Sequence, residues 1–385
     1  MSIFWQTLLV LVCCSNKGSG IDFAAVSIEV NGIEFGAPVS YWSNDSNVNF
    51  MQEDDLIQGN LLLRTQKGLY SLTPDGQLIT VASREKLTKE GVGGISSFVA
   101  HNTSSLILVD DANNCLHWLH RKNSQSSSSQ FVLSTLTGKC GDNGNRTDGK
   151  FEIAQLNRPD YISKGHSKGY YFLSEPLTDN GTIKMINFNQ SRIDLMLGGK
   201  KAQPKPAWKE PNAIIYIPEL QTLYIATYAN LYSVPFPIPT PKALTSGKRG
   251  RADGPLASAE FMSTRALTAI GGKVLIALPV NGAYLRIIDL QLEYVFSLSL
   301  PVDKRFTCIL AVQSAKRIYL GGPDGLWVIS YRSKVKQPTE YDDITPNHSP
   351  NQGEMYDDIT PSHSPNQGVM IVSSCLVMLV AILIL

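Results

Sequence analysis

One pattern recurs along the chain: short apolar runs, separated by turns, arranged in groups at a nearly constant interval. Leu61, Ile107, Tyr171, Leu223, Val274 and Ile318 mark matching positions, and their spacing averages roughly 50 residues, the period of propeller blades. Within 59–82 three runs are separated by a polar turn and by Pro74-Asp75-Gly76. In 106–162, Ile107 with Val109 and Leu116 with Trp118 give short apolar alternations. Between them Asp110-Asp111-Ala112-Asn113-Asn114 forms a turn whose side chains bond their own backbone and tolerate left-handed geometry. The same three-strand layout returns at 170–197 and 274–298, and two strands of it at 223–234 and 317–330. One such unit cannot cover both faces of its small sheet, so each needs its neighbours. The 30 Gly and 21 Pro suit many short strands, and a 43% hydrophobic chain can fill a large core.

The connecting loops repeat as well. Gly141-Asp142-Asn143-Gly144 leads to Asp148-Gly149, then Phe151, Ala154 and Asn157-Arg158-Pro159; Gly247-Lys248-Arg249-Gly250 leads to Asp253-Gly254, then Ala259 and Phe261. Weaker forms occur at 91–98 and 198–212. Glycine serves where the backbone turns through positive φ, and the aromatic plugs between neighbouring sheets. Such a loop, followed by a segment like Leu106 to Leu116, resembles the NHL repeat in extracellular, degenerate form. The resemblance covers about residues 55–332. It implies an all-β fold, a six-bladed β-propeller within 21–332, with an early strand near 25–30 closing the ring against the last blade.

The ends point outside the cell. Residues 3–14 are apolar and followed by Ser15, Gly18, Ser19 and Gly20, the form of a signal peptide over 1–20. Sequons start at Asn44, Asn102, Asn145, Asn180, Asn189 and Asn347. Residues 333–368 hold a tandem repeat that begins at Tyr341 and again at Tyr356. Rich in Pro, Ser and Asp, it reads as a disordered stalk. Residues 369–385 are apolar to the last residue with no following Lys or Arg. This reads as a glycosylphosphatidylinositol-anchor signal, with a short membrane span as the alternative. Every Lys and Arg precedes residue 337, so the body carries 34 basic against 27 acidic residues and the tail six acidic ones. No basic patch with interleaved aromatics suggests nucleic acid.

Of the cysteines, Cys115 and Cys140 are expected to pair and pin a long Ser-rich hairpin, while Cys308 in an apolar run reads as a buried free thiol. The body histidines His101, His117, His120 and His166 fall in two adjacent units and read as surface or turn residues rather than metal ligands. Asp110, Asp111, Asp148 and Asp253 read as turn formers. Lys200, Lys201 and Lys205, with Lys248, Arg249 and Arg251, place positive charge on successive loops and could form a basic rim for an acidic partner. Tyr341 and Tyr356, flanked by carboxylates, suit tyrosine sulfation. No nucleophile elbow, zinc-protease helix, phosphate loop or dinucleotide fingerprint is present, and no cofactor is expected. The expectation is a surface-held, glycosylated propeller acting as a non-catalytic recognition or adhesion module for a protein or glycan. The alternative is a channel-site enzyme of lyase, lactonase or strictosidine-synthase type.

Overall fold

The computed structural model describes residues 21–22, 26–28, 34–35, 47–55, 57–121, 131–137, 140–141, 147–176, 181–199, 208, 210–281, 283–300, 305–323 and 325–333. The chain divides into a unit Met1–Val335 and a second unit Lys336–Leu385. The stalk repeat, Tyr341, Tyr356 and the hydrophobic tail belong to the second and lie outside the described residues, as does the signal segment. No helix among the described residues is long and apolar enough to cross a membrane.

Among the described residues, the first unit holds six antiparallel sheets arranged as blades and one small three-stranded sheet. Blade 1 runs outward through Val48–Glu53, Leu61–Thr65, Gly68–Leu72 and Leu78–Ser83. Blade 2 comprises Ile95–Asn102, Ser105–Asp110, Cys115–Arg121 and Phe131–Thr137. Blade 3 comprises Ile162–Lys164, Tyr170–Glu175, Thr182–Asn187 and Arg192–Gly198, with Gly149–Lys150 added outside. Blade 4 comprises Ala213–Ile217, Thr222–Ala226, Leu231–Pro235 and Lys242–Ala243. Blade 5 comprises Thr264–Ile270, Val274–Pro279, Tyr284–Asp289 and Tyr294–Ser299, with Gly254–Pro255 outside. Blade 6 comprises Cys308–Val312, Arg317–Gly322 and Gly325–Ser330, completed by Glu34–Phe35 from the chain's beginning.

The ring closes because apolar faces are shared. Each inner strand lies against the next, and blade 6 returns to blade 1. Six apolar clusters occupy the six junctions: Leu62 and Phe98 between blades 1 and 2, Val109 and Phe151 between 2 and 3, Trp208 between 3 and 4, Phe261 between 4 and 5, Phe306 between 5 and 6, and Leu63 with Val312 between 6 and 1. Phe151, Trp208 and Phe261 are the loop aromatics, and they fill the gaps between sheets as expected. The inner strands have only one strand partner, so their remaining backbone groups need others. Neighbouring blades supply them. Ser97 Oγ donates to the Asp160 carbonyl (2.6 Å) and accepts from the Ile162 N–H (3.1 Å). Ser163 Oγ accepts from Tyr216 N–H, and Thr268 Oγ from Ala311 N–H. Thr307 Oγ donates to the Val48 carbonyl (2.6 Å), closing the last junction.

Two sequence expectations need correction. The repeating unit has four strands rather than three, because short inner strands such as Ile162–Lys164 carry hydroxyls that break the apolar alternation. The ring-closing strand is Glu34–Phe35, paired with Val328 and Trp327, whereas Val26–Ile28 pairs with Ile21–Asp22 and Arg332–Ser333 in a separate small sheet.

Candidate functional site

Strand direction alternates within each blade, so the loops entering the inner strands and the turns joining second to third strands share one end of the ring. The site at this end begins with Arg64. Leu62 and Arg64 project from the same side of their strand, and Leu62 lies in the core between blades 1 and 2. Arg64 therefore enters that cleft nearer its mouth. The following turn is tight: Gly68 has φ 137°, and a Cβ there would sit 2.2 Å from the Ala82 carbonyl oxygen. Gln66 at the tip stays exposed.

Across the cleft, Ser83 caps the short helix Arg84–Lys89 by accepting from the Lys86 N–H (3.2 Å). Leu87 then buries itself in the same core, and Arg84 is held at the mouth by donating to the Gly93 carbonyl (2.6 Å). Between them lies a cavity of about 290 Å³, bounded by Arg64, Gln66, Arg84, Leu87, Gly94 and Ile95. Burial and the Arg84 charge lower the Arg64 pKa, while Asp111 and Asp160 oppose them. Among the described residues, no hydrogen bond or ion pair holds the Arg64 guanidinium.

The charge field extends across blades 2, 3 and 5. Burial raises the Asp160 carboxyl to about 6, with Asp111 adding to the shift and Arg265, Arg64 and Arg158 opposing it. Burial also raises Asp111, with Arg64 pulling against it. Arg158 is fixed by its own N–H, which donates to Asn114 Oδ1 (2.6 Å) in the turn of blade 2. Three guanidiniums, Arg64, Arg158 and Arg265, thus act on these two carboxylates, and with Arg84 beside Arg64 the group carries a net formal charge of about +2. Deeper in, the Tyr161 and Phe50 rings meet with centroids 5.3 Å apart, spanning blades 1 and 3 past blade 2. Near the opposite end Lys164 pairs with Asp55, again joining blades 3 and 1.

The residues singled out from sequence divide sharply. Cys115 and Cys140 are joined, with Cα atoms 5.3 Å apart. Cys308 is a buried thiol whose pKa burial raises to about 12. Asp110 accepts from the N–H groups of Gly93 (2.8 Å), Gly94 (2.9 Å) and Asn113 (3.1 Å) and meets His117 Nε2 at 3.1 Å. Burial alone would raise Asp110, but these bonds outweigh it and hold the carboxyl below its ordinary range. His117 is therefore buried beneath the disulfide, not at the surface as the sequence suggested. Among the described residues, Cys115, His117 and Cys140 bring three potential metal-ligand atoms within 4.8 Å, but the disulfide occupies two of them. Of the other body histidines, His101 bonds Tyr171 Oη (3.0 Å), His166 stacks on Phe236 and His120 is exposed.

Asp148 and Asp253 serve as partners for buried cations. Lys184 Nζ donates to Asp148 Oδ1 (3.0 Å) and the Gln155 carbonyl (3.4 Å). Arg286 pairs with Asp253 and donates to the carbonyls of Arg251, Ala252 and Glu260 and to Ser297 Oγ. Of the expected basic rim, Lys248, Arg249 and Arg251 are exposed on the channel-mouth end, while Lys200, Lys201 and Lys205 lie outside the described residues. Arg249 covers the Tyr228 ring at 4.9 Å and Arg251 the Tyr284 ring at 4.0 Å. Asn102 and Asn189 are exposed; Asn44, Asn145, Asn180 and Asn347 lie outside the described residues. Sequence reasoning missed Arg64, Arg84, Arg158, Asp160 and Arg265. The one signal available was Arg64 itself, a lone charge in the apolar strand LLLRT.

No protein-family model and no curated protein matches the chain. Solved structures do match in fold. An auxiliary nutrient binding protein of Bacteroides thetaiotaomicron aligns with TM-score 0.55 at 12% identity, over 74% of this chain and 69% of that one. A second Bacteroides thetaiotaomicron protein, of unknown function, aligns with TM-score 0.53 at 11% identity, over 80% and 76%. A gluconolactonase of Xanthomonas campestris aligns with TM-score 0.50 at 12% identity, over 74% and 86%. At such identities the likeness concerns the six-bladed propeller fold alone.

Proposed function

We propose that this chain is a degenerate NHL-type propeller displayed at the outer cell surface, glycosylated, and used to recognise a protein or glycan rather than to transform it. The observation that carries the reading is the rim of the channel-mouth end, where exposed Lys248, Arg249 and Arg251 accompany exposed Tyr228 and Val280. Aromatic and arginine side chains on rigid loops suit binding, and both the Tyr161–Phe50 contact and the Lys164–Asp55 pair cross the region where a propeller enzyme would hold its substrate. The secretory route and the glycosylphosphatidylinositol anchor rest on the two ends of the sequence and on the sequons. Tyrosine sulfation at Tyr341 and Tyr356 belongs to the same proposal.

Phosphatidylinositol-specific phospholipase is expected to release the protein from intact cells. The released protein is expected to bind cell surfaces and to lose that binding when Lys248, Arg249 and Arg251 are replaced by Glu. Released protein that binds no surface and turns over a lactone or glycoside overturns this reading. The second reading, a channel-site enzyme, is favoured by one observation: Asp160, with a pKa near 6 beside three arginines, is poised for proton transfer. It predicts turnover that Asp160→Asn abolishes.

A further inference from the structure

Among the described residues, the cleft between blades 1 and 2 differs from the other buried or ring-covered cations in what surrounds its guanidinium. Lys184 and Arg286, each 1% exposed, are held by carboxylates and carbonyls. Arg249 and Arg251 lie on aromatic rings. Arg64 is half-buried, faces a cavity and has no hydrogen-bonding partner among the described residues, although guanidiniums withdrawn from water are normally paired. Arg84, opposite, uses Nη2 on the Gly93 carbonyl and retains further donors toward the cavity. Two like charges bounding one partly desolvated cavity repel unless an anion lies between them.

The rest of the cavity narrows the ligand. Leu87 and Ile95, 2% and 3% exposed, give it an apolar wall, and the exposed Gln66 amide offers both a donor and an acceptor at the lip. Gly94 supplies no side chain; a Cβ there would stand 3.1 Å from Asp111 Oδ1 and narrow the entrance. A volume of about 290 Å³ is far more than a bare phosphate or sulfate needs and is on the scale of one sugar ring. A ring with an apolar face, hydroxyls at its edge and one oxyanion matches this lining. The neighbouring Asp111 and Asp160 disfavour a multiply charged group.

The geometry points to a saccharide-binding site in this cleft, taking a sugar residue that carries a single oxyanion. The oxyanion lies between Arg64 and Arg84, the ring face rests on Leu87 and Ile95, and the hydroxyls meet Gln66. The oxyanion is a carboxylate, as in a uronic acid, or a sulfate monoester; both offer a planar or tripodal set of acceptors to the guanidinium fork. This deepens the recognition reading above and rests on it, by giving the ligand a chemical class and one defined contact.

The test is titration of the purified full-length protein with glucuronate, glucosamine 6-sulfate, glucose, acetate and a short polyglutamate peptide, followed by saturation-transfer NMR. One charged sugar is expected to bind at least tenfold more tightly than glucose or acetate, and the tighter of the two identifies the oxyanion. Arg64→Met is expected to weaken that binding at least tenfold and Arg84→Met severalfold, while Arg192→Met, on the outer strand of blade 3 and paired with Asp194, leaves it unchanged. Melting temperatures of the variants establish that each is folded. Glucose or acetate binding as tightly as the charged sugars, a preference for polyglutamate, or an Arg64→Met variant that binds like the parent overturns the assignment. If that variant loses the sugar yet the protein still stains cell surfaces through the Lys248–Arg251 rim, the cleft site stands and cell recognition does not depend on it. If the parent binds charged sugars but no cell surface, the cleft assignment survives and the recognition reading falls.

Discussion

Arg64 and Arg286 are both arginines set in apolar strands, LLLRT and YLRIID, and their surroundings have opposite character. Around Arg286 the incoming loop supplies Asp253 and three carbonyls and the strand Tyr294–Ser299 adds Ser297, so the cation is consumed in holding that loop against blade 5. Lys184 does the same in blade 3 with Asp148 and the Gln155 carbonyl, from the corresponding third strand. Arg64 stands on a second strand, no Asp-Gly loop reaches it, and its guanidinium faces a cavity. A buried cation with a dedicated partner stabilises the fold, whereas one left over is available to a ligand.

That contrast is broken most directly by removing each cation. Arg286→Met strands Asp253 and several carbonyls and is expected to cost about 3–5 kcal/mol, read by chemical denaturation. Arg64→Met removes no bond within the protein and is expected to change stability by less than about 0.5 kcal/mol. A comparable loss in both would mean that Arg64 is structural. Opening the Cys115–Cys140 bridge by substituting Ser at both positions is expected to cost about 3 kcal/mol, from a loop spanning 25 residues.

Asp160 sharpens the comparison through pH. Its folded pKa, about 6, lies above the ordinary carboxylate value, so the folded state binds the proton more tightly than the unfolded chain. The destabilisation is absent at pH 4 and below, grows as pH rises toward 6 and is complete above. Asp160→Asn should therefore match the parent near pH 4 and exceed it at pH 7.5 by on the order of 2 kcal/mol, measured by thermal melts across that range. An advantage independent of pH would contradict the assignment. A smaller loss concerns the lacing of inner strands: Ser97→Ala leaves the Ile162 N–H without its acceptor and is expected to cost about 1 kcal/mol.

The strands that sequence revealed were those with an uncomplicated environment. Second and third strands are buried on both sides, so Ser105–Asp110 or Val274–Pro279 reads as an apolar run. The inner strands face neighbouring blades through Ser97, Ser163 and Thr268, and those hydroxyls blur the alternation; three residues of blade 3's inner strand are too few to show one. The Cys115–Cys140 pair was legible because both residues flank one hairpin. The cleft was not, because Arg64, Arg84 and Asp160 come from three separate segments and only ring closure brings them to one end. Strand sequence alone does not distinguish Arg64 from Lys184 or Arg286, since all three are lone cations among apolar neighbours.

Arginine-selective labelling with phenylglyoxal, read residue by residue by mass spectrometry on the folded protein, tests the central contrast most directly. Arg64 should modify readily, a charged sugar that fills the cleft should protect it, and Arg286 should stay unmodified until the protein unfolds. Equal protection of Arg64 and Arg286 in the free protein would show that Arg64 is already satisfied from within, and the cleft would then have no unpartnered cation to offer a ligand.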